Sequence, residues 1–225
     1  MNFCDRTFRR DREISGVLMV VTLSPIPSTT PTIRPRVEIL GVFGSGKTTL
    51  AVRLADGVAE ILAERHEQNP FWGNPKVINV TGYLAYDLSF LLQHAHLAAA
   101  PAAAEATEFG ICDWALASDR LWASMRLGDD LAIYEAVYQT LLERIGPPIG
   151  HLYLRQPSSL IMSRLHGRGR EPEAKLAEYV EAAVNRLDDL VGTLPGERVL
   201  TVDDDPDPGT VRAAIGRWRR PNVHA

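Results

Sequence analysis

Gly41, Val42, Phe43, Gly44, Ser45, Gly46, Lys47 and Thr48, followed by Thr49, fit the pattern G-x-x-x-x-G-K-[ST] between an apolar run and a helical one. Glycines there let successive backbone N–H groups converge on phosphate oxygens, and the helix N-terminus adds partial positive charge. Lys47 is placed to reach the outer phosphates and Thr48 to hold a metal ion. The pattern predicts a site for the triphosphate of ATP with its Mg2+ ion. By itself it does not separate a kinase from a GTPase or a motor ATPase.

A second group of residues suits the moving phosphoryl. Arg164, Arg168 and Arg170 lie among glycines in residues 163–171, a segment able to close over an anion as a lid. Cations that arrive only on closure stabilise the charge spread over a transferred phosphoryl and exclude water. A solvated basic helix end is the alternative reading of the same charges. Glu64, Asp113 and the pair Asp119 and Arg120 follow predicted strands, where carboxylates can take a hydroxyl proton, hold a metal or bind a polar acceptor. Each of these alone also reads as a solvated surface charge.

The elements that must position these groups follow from periodicity. Val37–Leu40, Val58–Leu62, Phe109–Cys112, His151–Leu154 and Val199–Val202 read as strands. Helices are predicted over Thr48–Asp56, Tyr83–Leu97, Leu131–Arg144, Ser158–His166 and Glu173–Leu190, with loops at Asn69–Pro75 and Gly167–Pro172. Strands alternating with helices predict an α/β fold: a parallel sheet of about five strands, helices on both faces and an Arg-rich lid. No internal repeat is found.

At 225 residues the chain suits one domain, read as 36–225, after an extension over 1–35 expected to be flexible from its charged start and its Pro, Ser and Thr content. Acidic residues Asp5, Asp11 and Glu13 argue against a signal peptide, and Met19 offers a second start. The 45% hydrophobic and 23% charged content is that of a soluble protein with no run able to span a bilayer. A net charge of -4 supplies no field to gather a nucleic acid polymer. Two cysteines, Cys4 and Cys112, are too few for a disulfide scaffold, and a cytoplasmic setting is expected.

Over most of 37–205 the sequence resembles the deoxynucleoside kinases, especially bacterial members. Carrying the resemblance are Glu64 shortly before Asn69, Pro70 and Phe71; Asp113 with Asp119 six residues on; and Tyr153, Leu154 and Arg155 followed by Arg164 and Arg168, Gly169, Arg170 and Glu171. Glu178, Tyr179 and Val180 continue it. The resemblance implies that Glu64 takes the proton from a nucleoside 5′-hydroxyl and that Asp113 positions Mg2+ or the acceptor. It implies that Lys47 and the lid arginines hold phosphates, Asp119 touches the base, and Glu173 lies near the sugar 3′-hydroxyl. It also implies a homodimer through the helices after Asn69 and Asp119. Departures fall at Asp87, where many members have a base-reading Gln, at His94 in place of a frequent Arg, and at Trp114 in place of another Arg. The nearest rival is a nucleoside monophosphate kinase of the thymidylate type, for which Arg120 would serve an acceptor phosphate. A nucleotide-binding regulatory protein is the rival from another class.

Overall fold

The computed structural model describes residues 33–56, 58–100, 109–167, 174–203 and 205–219. All but the last three residues of the expected extension 1–35 lie outside these. The strands are β1 (Arg36–Leu40), β2 (Glu60–Leu62), β3 (Gly110–Cys112), β4 (Gly150–Leu154) and β5 (Val199–Val202). They form one sheet in the order β2-β3-β1-β4-β5, and every pairing is parallel. The expected α/β fold is therefore found.

β1 is central although two of its five residues are charged. Arg36 and Glu38 sit on one face of the strand, are 2% and 1% exposed, and bond each other at 2.8 Å. The arginine also donates to the carbonyls of Ile145 and Gly146. Glu38 Oε2 accepts from the backbone N–H of Leu116 at 3.1 Å. With every strong partner satisfied, a buried charge pair is tolerated and ties the strand to the elements packed on it.

The helices are α1 (Lys47–Ala55), α2 (Pro75–Ala99), α3 (Leu116–Arg126), α4 (Leu131–Ile145), α5 (Ser158–Gly167), α6 (Ala174–Thr193) and α7 (Pro208–Arg219). On one face, Val37 and Ile39 pack with Leu50 and Leu54 of α1 and Val211, Ile215 and Trp218 of α7. A second cluster joins Leu91 and Ala95 of α2 to Leu116 and Ala123 of α3 and Tyr134 and Tyr138 of α4. A third joins Leu40 and Tyr153 to Ile161 and Leu165 of α5 and Val180 and Leu187 of α6. Among the described residues no helix is long and apolar enough to cross a membrane.

Four elements differ from their sequence reading: α3 and α7 are helices where none was expected, and β2 and α2 start elsewhere than expected. The second strand starts at Glu60, because the N–H groups of Val58 and Ala59 bond the Ala55 carbonyl and close the turn after α1. The helix expected over Tyr83–Leu97 starts at Pro75: Asn74 caps it by accepting from Val77 N–H, and Pro75 occupies the first turn, where a missing N–H costs nothing. Gly82, at φ 78, breaks this helix internally.

Candidate active site

The C-terminal ends of β1, β2 and β3 open into one cavity of about 410 Å³. β1 delivers the glycine loop. Gly46 holds φ 107, a left-handed conformation that side chains disfavour, and so turns the chain directly into α1. Gly41, Phe43, Gly44, Gly46, Lys47, Thr48 and Thr49 line the cavity, whereas Val42 and Ser45 are buried beneath it. Lys47 Nζ donates to the carbonyls of Gly41 at 2.9 Å and Val42 at 3.2 Å, so the loop backbone itself fixes the ammonium. Burial lowers the lysine's pKa, against the pull of Glu64, Asp113 and Asp119.

Asp113, just past β3, joins two of the expected site residues. Its Oδ2 accepts from Thr48 Oγ1 at 2.7 Å and its Oδ1 from the backbone N–H of Glu64 at 2.8 Å. Among the described residues no group of three or more His, Cys, Asp or Glu side chains forms a metal cage. A hydroxyl beside one carboxylate at a phosphate loop nevertheless fits magnesium, which takes few protein ligands and completes its shell with water and phosphate oxygens.

Glu64 is clamped along its backbone as well. Gln93 donates to the carbonyls of Glu64 and Arg65, and Arg65 itself sits at φ 45. Trp114 Nε1 donates to Leu62 O at 2.7 Å, two residues upstream. The Glu64 side chain is 34% exposed toward the cavity. Burial raises its pKa, while His94 and Lys47 hold it down.

Behind Glu64 lies His94, 1% exposed. Its Nδ1 meets Asp119 Oδ2 at 2.7 Å, and its ring stacks on Trp114 at 4.3 Å and 2°. Burial alone would lower the histidine's pKa, but Asp119, then Glu64 and Glu38, more than reverse this and raise it.

The far end of the cavity is aromatic, with Trp72, Tyr86, Phe90 and Trp122 around one ion pair, Asp87 with Arg126. The Asp87 side chain is 4% exposed. Burial raises its pKa and the Arg126 hydrogen bonds and charge oppose this. Arg126 also reaches Tyr179 Oη at 3.4 Å and lies over the Tyr86 ring.

Most expected residues thus converge: Glu64, Lys47, Thr48, Asp113, Asp87 and Asp119 line one cavity. Arg164 reaches the glycine loop through a 2.7 Å bond to Ser45 O. Arg168, Arg170 and Glu173 lie outside the described residues. Arg120 does not face the cavity as expected. It pairs with Glu135 at 2.6 Å with half its side chain exposed, because one residue past Asp119 on a helix is about 100° around the axis. Arg126, seven residues after Asp119, returns to the cavity face and was missed; its spacing of two turns is the signal that finds it.

No family model matches the sequence, and no curated protein matches it. Solved structures do. The chain superposes on deoxyadenosine kinase from M. mycoides with bound dCTP at a TM-score of 0.62 and 20% identity, over 81% of this chain and 97% of that one. With bound dATP, that enzyme matches at 0.61 and 19% identity, over 83% of this chain and 100% of that one. With dCMP and a flexible dCDP bound as products, it matches at 0.58 and 18% identity, over 81% and 96%. The fold is that of the deoxynucleoside kinases. In this deoxynucleoside kinase-like fold the glycine loop and the carboxylates after β2 and β3 share one crevice, as ligand sites of open parallel sheets do.

Proposed function

We propose that the protein transfers the γ-phosphoryl group of ATP to the 5′-hydroxyl of a nucleoside, a deoxynucleoside foremost, and so serves nucleotide salvage. The observation that carries this reading is the bridge made by Asp113, which ties the phosphate-loop Thr48 to the Glu64 backbone inside one cavity. Glu64 accepts the proton of the attacking hydroxyl; Lys47 and Arg164 hold the phosphate side. Magnesium held by Thr48 and Asp113 would neutralise charge on the phosphates. The rate gain comes from positioning and preorganised charge, with little covalent chemistry asked of the protein.

A monophosphate acceptor is disfavoured, since its charge needs an uncommitted cation near Glu64. Among the described residues, Arg126 is bound to Asp87, Arg120 to Glu135, and Arg65 does not line the cavity. His66, which does, packs edge-on against Trp72 beside Glu67. The aromatic walls and the Asp87–Arg126 pair suit a neutral base with hydrogen-bonding edges. A homodimer through α2 and α4 belongs to the same proposal, supported by exposed Tyr83 and Leu92 on α2 and Ile133 on α4.

The test is ATP consumption against nucleosides, deoxynucleosides and their monophosphates. At least one deoxynucleoside is turned over, and Glu64→Gln lowers kcat by about 10²–10⁴-fold with ATP binding retained. Turnover of monophosphates alone overturns the assignment.

A further inference from the structure

We infer that His94 is a positioning residue, which takes its orientation from Asp119 and holds the Glu64 carboxylate toward the acceptor. Its kinetic arm rests on the function proposed above; the contact itself does not.

Three observations converge on His94. Asp119 Oδ2 lies 2.7 Å from Nδ1, and an ionised carboxylate can only accept, so Nδ1 carries a proton. Nε2 is buried with no hydrogen-bond partner, and it faces Glu64 Oε1 at 3.8 Å. A lone pair there would oppose the carboxylate, whereas an N–H is attracted to it. Closing the gap to hydrogen-bond length takes a movement of roughly 1 Å, of the kind catalytic bonds make when ligands bind. The third observation is rigidity: the imidazole lies flat on Trp114, whose indole nitrogen is anchored to Leu62 O at the end of β2, two residues before Glu64. Ring and carboxylate therefore share one frame.

His94 and Trp114 are two of the departures noted in the sequence, and here they form a single arrangement. The charged groups that act on the imidazole are Asp119 on α3, Glu64 after β2 and Glu38 on β1; Lys47 and Asp113 act on Glu64 as well.

Substitutions separate the two ends of the ring. A glutamine side chain places an N–H near the Nε2 position, and an asparagine near Nδ1. If His94 acts on Glu64, His94→Gln keeps kcat within about tenfold of the native protein. His94→Asn loses about 10²-fold, the usual cost of a 1 Å misplacement, with KM for ATP and for the acceptor unchanged in both. A side chain that served only to satisfy Asp119 would give the reverse order, and that result overturns the inference.

Ring 15N NMR of histidine-labelled protein, with His94 assigned through its contact with Trp114, tests the contact without turnover. Nε2 is expected to be protonated and to shift in Glu64→Gln. An unprotonated Nε2, or one indifferent to Glu64→Gln, overturns the inference even if the kinase reading stands. If the native protein phosphorylates no acceptor, the kinase reading falls and the NMR result alone decides the contact.

Discussion

At the scale of single residues, the Asp87–Arg126 pair is the part of the cavity whose chemistry is most exposed to substitution. Arg126→Met leaves a carboxylate with 4% of its side chain exposed and no cation beside it. Breaking such a pair costs about 3 kcal/mol, at the lower end of the range because Arg126 itself keeps 23% exposure. Adding Asp87→Leu to Arg126→Met removes the stranded charge and recovers most of the loss, which urea unfolding of the two proteins checks. Asp87→Gln keeps a hydrogen-bonding group but drops the charge, so the ratio of turnover among deoxynucleosides changes while ATP binding does not. Equal ratios would remove Asp87 from the acceptor site. Thr48→Val makes a different cut: it deletes the hydroxyl that meets Asp113 at 2.7 Å. If Thr48 and Asp113 hold magnesium as proposed, the magnesium concentration for half-maximal turnover rises about tenfold or more, since one oxygen ligand is lost from a site with few. An unchanged concentration would remove Thr48 from the metal site.

At the scale of elements, β4 and α7 meet more closely than any side chain allows. A Cβ on Gly150 would lie 2.3 Å from Trp218 Cε3, and the indole cannot retreat because Nε1 donates to Glu197 O at 2.8 Å. Gly150→Ala destabilises by about 1–3 kcal/mol, the cost of overpacking, and Trp218→Leu in that background returns part of it. Urea midpoints of the three proteins measure this, and an unchanged midpoint for Gly150→Ala would refute the packing argument. The phosphate loop and the strand-end carboxylates were legible because their signals are local: a fixed motif, and a charged residue where an apolar run stops. The helical stretch before Gly82 was not: the apolar spacing is read as a helix only from Tyr83, just past the break, and residues 76–82 are given no element. Arg126 was missed because no helix is read over 116–126, so its two-turn spacing from Asp119 has no face to fall on, and its partner is 39 residues away on another helix. Arg120 misled because sequence adjacency to Asp119 was read as spatial agreement, which a helix denies. The closeness of Gly150 to Trp218 had no local mark at all.

At the scale of the whole molecule, stability against pH is set in part by two buried histidines whose pKa values move in opposite directions. His94 is raised above its ordinary value of 6.5 by Asp119, Glu64 and Glu38, which outweigh its burial. Its stabilising contribution is fully present below 6.5 and is lost as pH rises through the native value. His151 is lowered from 6.5 by burial, with Arg36 acting in the same sense and Glu38 against it. Its contribution is present above 6.5 and is lost as pH falls through the native value. The native protein therefore loses stability from these two groups on both sides of 6.5. In His94→Gln the loss on the alkaline side is reduced, and in His151→Gln the loss on the acid side. Thermal unfolding of the three proteins from about pH 5 to 9, the range over which shifted imidazoles titrate, reads out both effects. Because each variant is compared with the native protein at the same pH, groups remote from the histidines cancel, whereas Glu64, which His94 holds down, titrates higher once the imidazole is gone. A His94→Gln protein that lost stability with rising pH as steeply as the native one would show that the imidazole is not held charged between Asp119 and Glu64.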